Sequence, residues 1–308
     1  MKEPDLSVDL GRGLVLKNPV MTASGTFGYG EEASEYYELS LLGAVVVKGI
    51  SAQPRPGNTP PRVVETPSGM LNSIGLQNVG LDAFIRDKMP FLRKAGATVV
   101  VNVLGGTVEE YTLVCERLSA VDGIAALEIN ISCPNVKEGG VAFGMKENLA
   151  AKLIKVLREV TDMHMMVKLS PNCGDIAGVA RAVQEAGADS LSLINAITGM
   201  DIDVETRTPV LGNIVGGLSG PAIRPVALRM VHQVNQAVDI PVVGIGGIME
   251  GCHALQFMMA GASAVQVGTA VFTDPLVHLR ILGEIREFLQ KSGENARDVT
   301  GSMLIPLK

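Results

Sequence analysis

Ala186-Gly187-Ala188-Asp189-Ser190-Leu191-Ser192-Leu193-Ile194-Asn195 decides how the chain folds. Upstream, Asp175 caps a helix whose Ile176, Val179, Ala180 and Val183 share one side. Gly187 then closes that helix with a residue able to take positive φ, a small residue follows, and Ser190 to Ile194 reads as a strand that stops at Asn195. The same joint recurs at Leu42-Gly-Ala44, Ala95-Gly-Ala97 and Ala260-Gly-Ala262, at no fixed period. Working outward, buried strands are expected at Asn18 to Ala23, Ala44 to Val47, Thr98 to Val101, Ala126 to Asn130, His164 to Val167, Ser190 to Ile194, Val242 to Ile245 and Ala264 to Val267. Helical patterns fall between most of them, notably 81–92, 108–118, 146–160, 222–237 and 250–260. Eight β/α units predict an α/β fold: one (β/α)8 TIM barrel over residues 1–308, with long strand-to-helix loops covering its C-terminal rim. An open doubly wound sheet is the alternative, but no Gly-x-Gly-x-x-Gly stands early in the chain to support it.

Two long segments depart from the repeat. Residues 51–78 hold Pro54, Pro56, Pro60, Pro61 and Pro67, which predicts a loop without regular structure that walls a site. Residues 196–221 read as a second long loop whose alternating stretches could pair as a small hairpin. A net charge of −6 and no visible basic stripe exclude nucleic acid as the main partner. The start lacks an apolar leader and no run is long enough to span a bilayer, so no membrane association and a cytoplasmic location are expected. Cys115, Cys133, Cys173 and Cys252 lie far apart, which predicts no metal site in this chain; Cys252 and His253 read as chance neighbours.

The chemistry gathers around Glu128-Ile-Asn-Ile-Ser-Cys-Pro-Asn135, a strand that runs into a turn. It delivers Asn130 and Cys133 to a sheet end, where a thiol can serve as nucleophile, base or metal ligand. In a barrel, Ser24, Lys48, Asn102, Asn130, Lys168, Asn195, Gly246 and Gly268 then share the rim where active sites of this fold sit. Glycines after strands seven and eight suit a phosphate. Lys48 and Lys168 imply negative charge in the mouth, because lysine is rarely buried without a partner anion. Asparagines match an amide or imide edge. A flavin mononucleotide combines such an edge with a phosphate, and a lysine beside its pyrimidine side would stabilise the reduced anion.

With these residues in place, Asn130-Ile-Ser-Cys-Pro-Asn135, Met70-Leu-Asn-Ser-Ile-Gly-Leu-Gln-Asn78, Arg55-Pro-Gly-Asn58 with Pro61-Arg62, Gly216-Gly-Leu-Ser-Gly-Pro221 and Gly244-Ile-Gly-Gly-Ile248 resemble the class 1 dihydroorotate dehydrogenases. The likeness runs from Asn18 to about Thr273, and Lys48-Gly49-Ile50 resembles the 1B branch. That resemblance implies oxidation of dihydroorotate to orotate in pyrimidine biosynthesis, with Cys133 taking the C5 proton while hydride passes from C6 to flavin. It implies substrate contacts from Lys48, Asn72, Ser73, Ile74, Gly75, Leu76, Asn130, Asn195 and Ala196. It implies FMN contacts from Ser24, Lys48, Gly49, Asn102, Asn130, Lys168, Ile194, Gly220, Gly246, Gly247, Gly268 and Thr269. The loop 134–145 would be the lid. The 1B likeness also implies a partner subunit carrying FAD and a 2Fe-2S cluster, electrons passing to NAD, and a homodimer within a heterotetramer. Ala196 departs from the Thr or Ser usual in the family, and Ser73 stands where Ala is common.

Rival readings are a dihydropyrimidine dehydrogenase-like FMN subunit acting on uracil or thymine, a Schiff-base aldolase using Lys168, and a non-catalytic scaffold. The last gives paired lysines at a mouth no packing rationale.

Overall fold

The computed structural model describes residues 3–132 and 143–305. Eight parallel strands form one sheet: β1 Val20–Thr22, β2 Val45–Ile50, β3 Val99–Val103, β4 Ile124–Asn130, β5 His164–Lys168, β6 Ser190–Leu193, β7 Val242–Ile245 and β8 Ala262–Val267. They neighbour one another in chain order from β2 to β8, and β8 returns to β1. A parallel bridge between Met21 and Ala44 joins the remaining edge. There the Thr22 hydroxyl accepts from the Val46 amide at 2.8 Å and donates to the Val46 carbonyl at 3.0 Å, so a side chain replaces one rung of the ladder. Branched runs make this closure favourable: Val45, Val46, Val47, Val99, Val100 and Val101 are all fully buried, as strands covered on both faces require.

The helices expected between strands are present, including Val108–Ser119, Glu147–Val160, Ile176–Glu185, Arg224–Asn235 and Gly251–Met259, and Val277–Ser292 follows β8. Asp175 does cap its helix, accepting from the Ala177 amide at 3.0 Å. Of the four recurring glycine joints, Gly96, Gly187 and Gly261 have positive φ. Gly43 does not, which corrects the uniform expectation: a Cβ there would lie 2.1 Å from the Asn18 carbonyl, so room between backbones demands the glycine.

Beneath the strands' N-terminal ends, the hairpin of Val8–Asp9 and Val15–Leu16 plugs the barrel with Leu10 and Leu16. His164, the first residue of β5, holds it through the Gly11 carbonyl at 3.1 Å. At the opposite end the long loops are more regular than expected. Val63–Thr66 and Gly69–Asn72 form a hairpin that pairs through Val215–Ser219 with Ile197–Met200, giving a four-stranded antiparallel sheet. The prolines flank these strands and Pro67 occupies the turn, so they cost the ladder no donor. The pairing anticipated within 196–221 is one half of this sheet.

His278 ties the helix Val277–Ser292 to the end of β8. Its Nε2 faces the Val267 carbonyl at 3.3 Å, which can only accept, so Nδ1 accepts from the Tyr37 hydroxyl at 3.3 Å. The Phe27 ring packs edge-on, 5.4 Å between centroids. Burial pushes the imidazole down to about 4. Because the unfolded chain protonates near 6.5, it binds a proton through the window from about 6.5 to about 4 that the fold does not, and stability falls as pH drops. Between about pH 7.5 and about pH 5 this group costs about 2 kcal/mol. Urea titrations of parent and His278→Gln check it: the parent should lose about that much more than the variant, and equal losses would count against it.

Candidate active site

Lys48, Asn102, Asn130 and Lys168 lie within the last residues of their strands rather than past them, which corrects the sequence expectation for Lys48, Asn102 and Lys168. In β2 the register shifts between Val47 and Ile50, and this bulge carries Lys48-Gly49. A Cβ at Gly49 would sit 2.8 Å from Asn102 Oδ1, so only glycine lets that amide reach the mouth.

Inside the barrel, directly under the rim, the packing is polar. Fully buried Glu128 on β4 accepts from Asn102 Nδ2 on β3 at 2.5 Å, from Ser192 Oγ on β6 at 2.8 Å and from Gln266 Nε2 on β8 at 2.6 Å. Lys168 on β5 places its ammonium 3.7 Å from Glu128 and 3.4 Å from Ser24 Oγ, beyond β1 on the far wall. Contacts between strands this far apart in the sheet are possible only through the barrel's centre. Glu128 is therefore the anion that accompanies Lys168, so part of the negative charge inferred in the mouth is the protein's own.

Lys48 differs. Its ammonium donates to the Gly25 carbonyl at 3.1 Å, and among the described residues no carboxylate lies within ion-pair reach of it. Burial, with the Arg62 guanidinium adding to it, holds its pKa below the ordinary lysine value. Two cations with no ion-pair partner among the described residues make an anion-accepting corner.

A chain of side chains links the asparagines. Asn130 Nδ2 donates to Asn102 Oδ1 at 3.4 Å, Ser132 Oγ donates to Asn130 Oδ1 at 2.6 Å, and Asn195 Nδ2 donates to Ser132 Oγ. The Tyr111 hydroxyl fixes the end of β4 through the Asn130 carbonyl at 2.7 Å. Asn72, at the open end of the overlying hairpin, donates to the Gly217 carbonyl at 3.3 Å, and Ala196 packs so near Gly217 that a Cβ there would lie 2.6 Å away. Beyond Asn72, Ile74 accepts from the Asn58 amide and Gly75 and Leu76 are both left-handed, a tight turn that brings residues 72–76 together over the rim. Ser73 Oγ is buried there with no hydrogen-bond partner among the described residues.

On the other side of the mouth, Gly220, Gly246 and Gly247 have positive φ. A Cβ on Gly247 would meet the Gly220 carbonyl at 2.7 Å and the Arg224 amide nitrogen at 3.0 Å, and one on Gly246 would lie 3.6 Å from Ile194. Thr269 donates to Ser219 at 2.8 Å, and Gly268 lies against Ala23 beside Ser24. Bare backbone is thus gathered from the ends of β6, β7 and β8, a cradle that an anion with oxygen acceptors fits and a Cβ would fill. An orphaned hydroxyl at Ser73, the Lys48 corner and this cradle all fit a phosphate-bearing flavin and a small anionic guest.

Cys133 lies outside the described residues, as does most of the expected lid. Burial raises the other three thiols: Cys115 to about 12, and Cys173 and Cys252 above the usual value. At the start of the helix Gly251–Met259, the ligand atoms of Glu250, Cys252 and His253 lie within 4.8 Å of one another. The trio is largely exposed and one ligand short of a closed tetrahedral site. Sequence reasoning missed Glu128, Ser192 and Gln266. A partial signal was available: each is a polar residue inside a buried strand, Glu128 in Ile124–Asn130, Ser192 in Ser190–Leu193 and Gln266 in Ala262–Val267.

Comparison with known proteins identifies the family. The family model described as dihydroorotate dehydrogenase matches residues 8–289. The chain is 54% identical over 306 residues to the protein of Geotalea daltonii named dihydroorotate dehydrogenase B (NAD(+)), catalytic subunit, covering 99% of this chain and 100% of that one. Proteins of the same name from Geobacter sulfurreducens, 55% identical over 98% and 99% of the two chains, and Trichlorobacter lovleyi, 56% over 94% and 95%, match likewise. The chain belongs to the dihydroorotate dehydrogenase family of oxidoreductases.

Proposed function

We propose that this chain is the FMN-bearing catalytic subunit that oxidises dihydroorotate to orotate in pyrimidine biosynthesis. The observation that carries the reading is the convergence on one rim of an uncompensated Lys48, three asparagines linked through Ser132, and a glycine cradle. Ser24, Lys48, Gly49, Asn102, Asn130, Lys168, Ile194, Gly220, Gly246, Gly247, Gly268 and Thr269 hold the cofactor, with the glycines and Thr269 toward its phosphate. Bound FMN supplies the two-electron acceptor. Lys48 receives the substrate carboxylate, while Asn72, Asn130 and Asn195, with the turn 73–76 and Ala196, match donors and acceptors to the ring's amide edges. Cys133 receives the C5 proton at Sγ.

The relatives' names describe a catalytic subunit linked to NAD(+). In this reading a partner subunit with FAD and a 2Fe-2S cluster passes electrons to NAD, on a homodimer of this chain within a heterotetramer. Among the described residues no helix is long and apolar enough to cross a membrane.

Turnover with an artificial acceptor tests substrate class: dihydroorotate should be oxidised and dihydrouracil, which has no carboxylate for Lys48, should not. The reverse preference would overturn the proposal. Lys48 also sets a pH dependence. Its ammonium deprotonates below the ordinary lysine value of about 10.4, so orotate affinity should begin to fall at a lower alkaline pH than that value predicts. Orotate titrations followed by the flavin spectrum check this. Lys48→Met should weaken binding about 100-fold and flatten the alkaline limb, and an unchanged limb would contradict the assignment.

A further inference from the structure

We propose that Glu128, buried beneath the rim and assigned to neither ligand, is the positioning residue that fixes which face each asparagine amide presents to the bound molecules. The inference rests on the functional reading above for what those molecules are. Its geometry is independent of that reading.

An ionised carboxylate can only accept hydrogen bonds, whereas an Asn amide can present either its oxygen or its NH₂. Glu128 Oε2 therefore obliges Asn102 to turn its NH₂ inward. That leaves Asn102 Oδ1 to accept from Asn130, so Asn130 must turn its own NH₂ toward Asn102 and its Oδ1 toward Ser132. The Ser132 hydroxyl, having given its proton to Asn130, accepts from Asn195. One acceptor-only group at the bottom thus sets the polarity of three amides above it. Two backbone donors agree with this direction, Ser132 N–H to Asn130 Oδ1 at 3.3 Å and Ala196 N–H to Asn195 Oδ1 at 2.8 Å.

Gln266 gives independent testimony. It spends its NH₂ on Glu128 and leaves its own Oε1 buried without a partner among the described residues, as expected where the atom it faces demands a donor. Lys168 completes the arrangement. At 3.7 Å its ammonium is paired with Glu128 in charge but lies outside good hydrogen-bond range, while three neutral donors bind the carboxylate. The ammonium's protons remain available to the mouth, and its charge there is partly offset from below.

The test uses FMN-loaded full-length protein and three readouts: orotate Kd from the flavin spectrum, the flavin midpoint potential, and the thermal midpoint. Glu128→Gln keeps the shape but lets the carbon-bound nitrogen face Asn102, so the chain of amides can reverse. Orotate Kd should rise at least tenfold. Removing the negative charge should shift the reduced-to-oxidised ratio at fixed poise about tenfold toward reduced flavin, about 30 mV for a two-electron couple. Glu128→Asp retains the acceptor-only anion, and its orotate Kd should stay within about threefold of the parent. A merely structural residue would lower the thermal midpoint in both variants without separating them in Kd or potential. The proposal is overturned if Glu128→Gln stays within twofold of the parent in both readouts, or if Glu128→Asp is as impaired as Glu128→Gln. Should Glu128→Gln fail to fold, a tenfold loss of orotate affinity in Glu128→Asp overturns it alone. A parent protein that neither binds orotate nor is reduced by dihydroorotate would overturn the functional reading and this inference together; a normal parent with an indifferent Glu128→Gln overturns only this inference.

Discussion

Cys133→Ala is expected to lower kcat for dihydroorotate by a factor of about 10² to 10⁴ while leaving flavin content unchanged, the usual range for loss of a positioned general base. Breaking the C5–H bond needs an acceptor for the proton, and a thiol with a reference value near 8.5 is competent as thiolate with modest help. The described cysteines are poor substitutes, since burial pushes Cys115 up to about 12 and raises Cys173 and Cys252. Stopped-flow reduction of the bound flavin isolates the step from reoxidation. In the parent, the rate should climb with pH as the thiolate forms; in Cys133→Ser that limb should move to higher pH, because an alkoxide forms less readily than a thiolate. A Cys133→Ala protein that keeps more than about a tenth of the parental rate would remove the base from the mechanism.

Lys168→Met should be the most damaging change to the fold made at the rim. It leaves Glu128 as a fully buried carboxylate with no counter-ion among the described residues. Removing one member of a buried pair typically costs about 3 to 5 kcal/mol, and the three neutral donors that Glu128 keeps place this case near the lower end, about 3 kcal/mol. Urea unfolding of the flavin-free protein measures this without reference to activity. The double variant Lys168→Met/Glu128→Gln should recover more than half of the loss, since a neutral amide needs no counter-charge. Equal destabilisation of the single and double variants would show that the penalty comes from lost packing of the lysine stem instead.

The barrel was legible because its units repeat a physical device. Branched strands, amphipathic helices and a small joint residue alternate through the chain, and each device pointed to the same topology. Rim residues followed from the strands, since the fold dictates where strand ends go. Three features were not legible for identifiable reasons. The prolines in 51–78 suggested irregularity, but a strand tolerates proline at its flanks, and pairing with 215–219 came from a partner about 145 residues away. Gly43 looked like a positive-φ joint, yet its constraint is the nearby Asn18 carbonyl, visible only once β1 and β2 are side by side. Glu128 was read as part of a buried strand; that its side chain gathers Ser192 and Gln266 depends on a closed barrel bringing β4, β6 and β8 to one axis.

Anaerobic addition of dihydroorotate to the purified, flavin-loaded chain, followed by absorbance, addresses the central claim most directly. Bleaching of the flavin band with one orotate formed per flavin is the predicted result. A colourless protein, or a flavin band that dihydroorotate leaves untouched, would contradict the account.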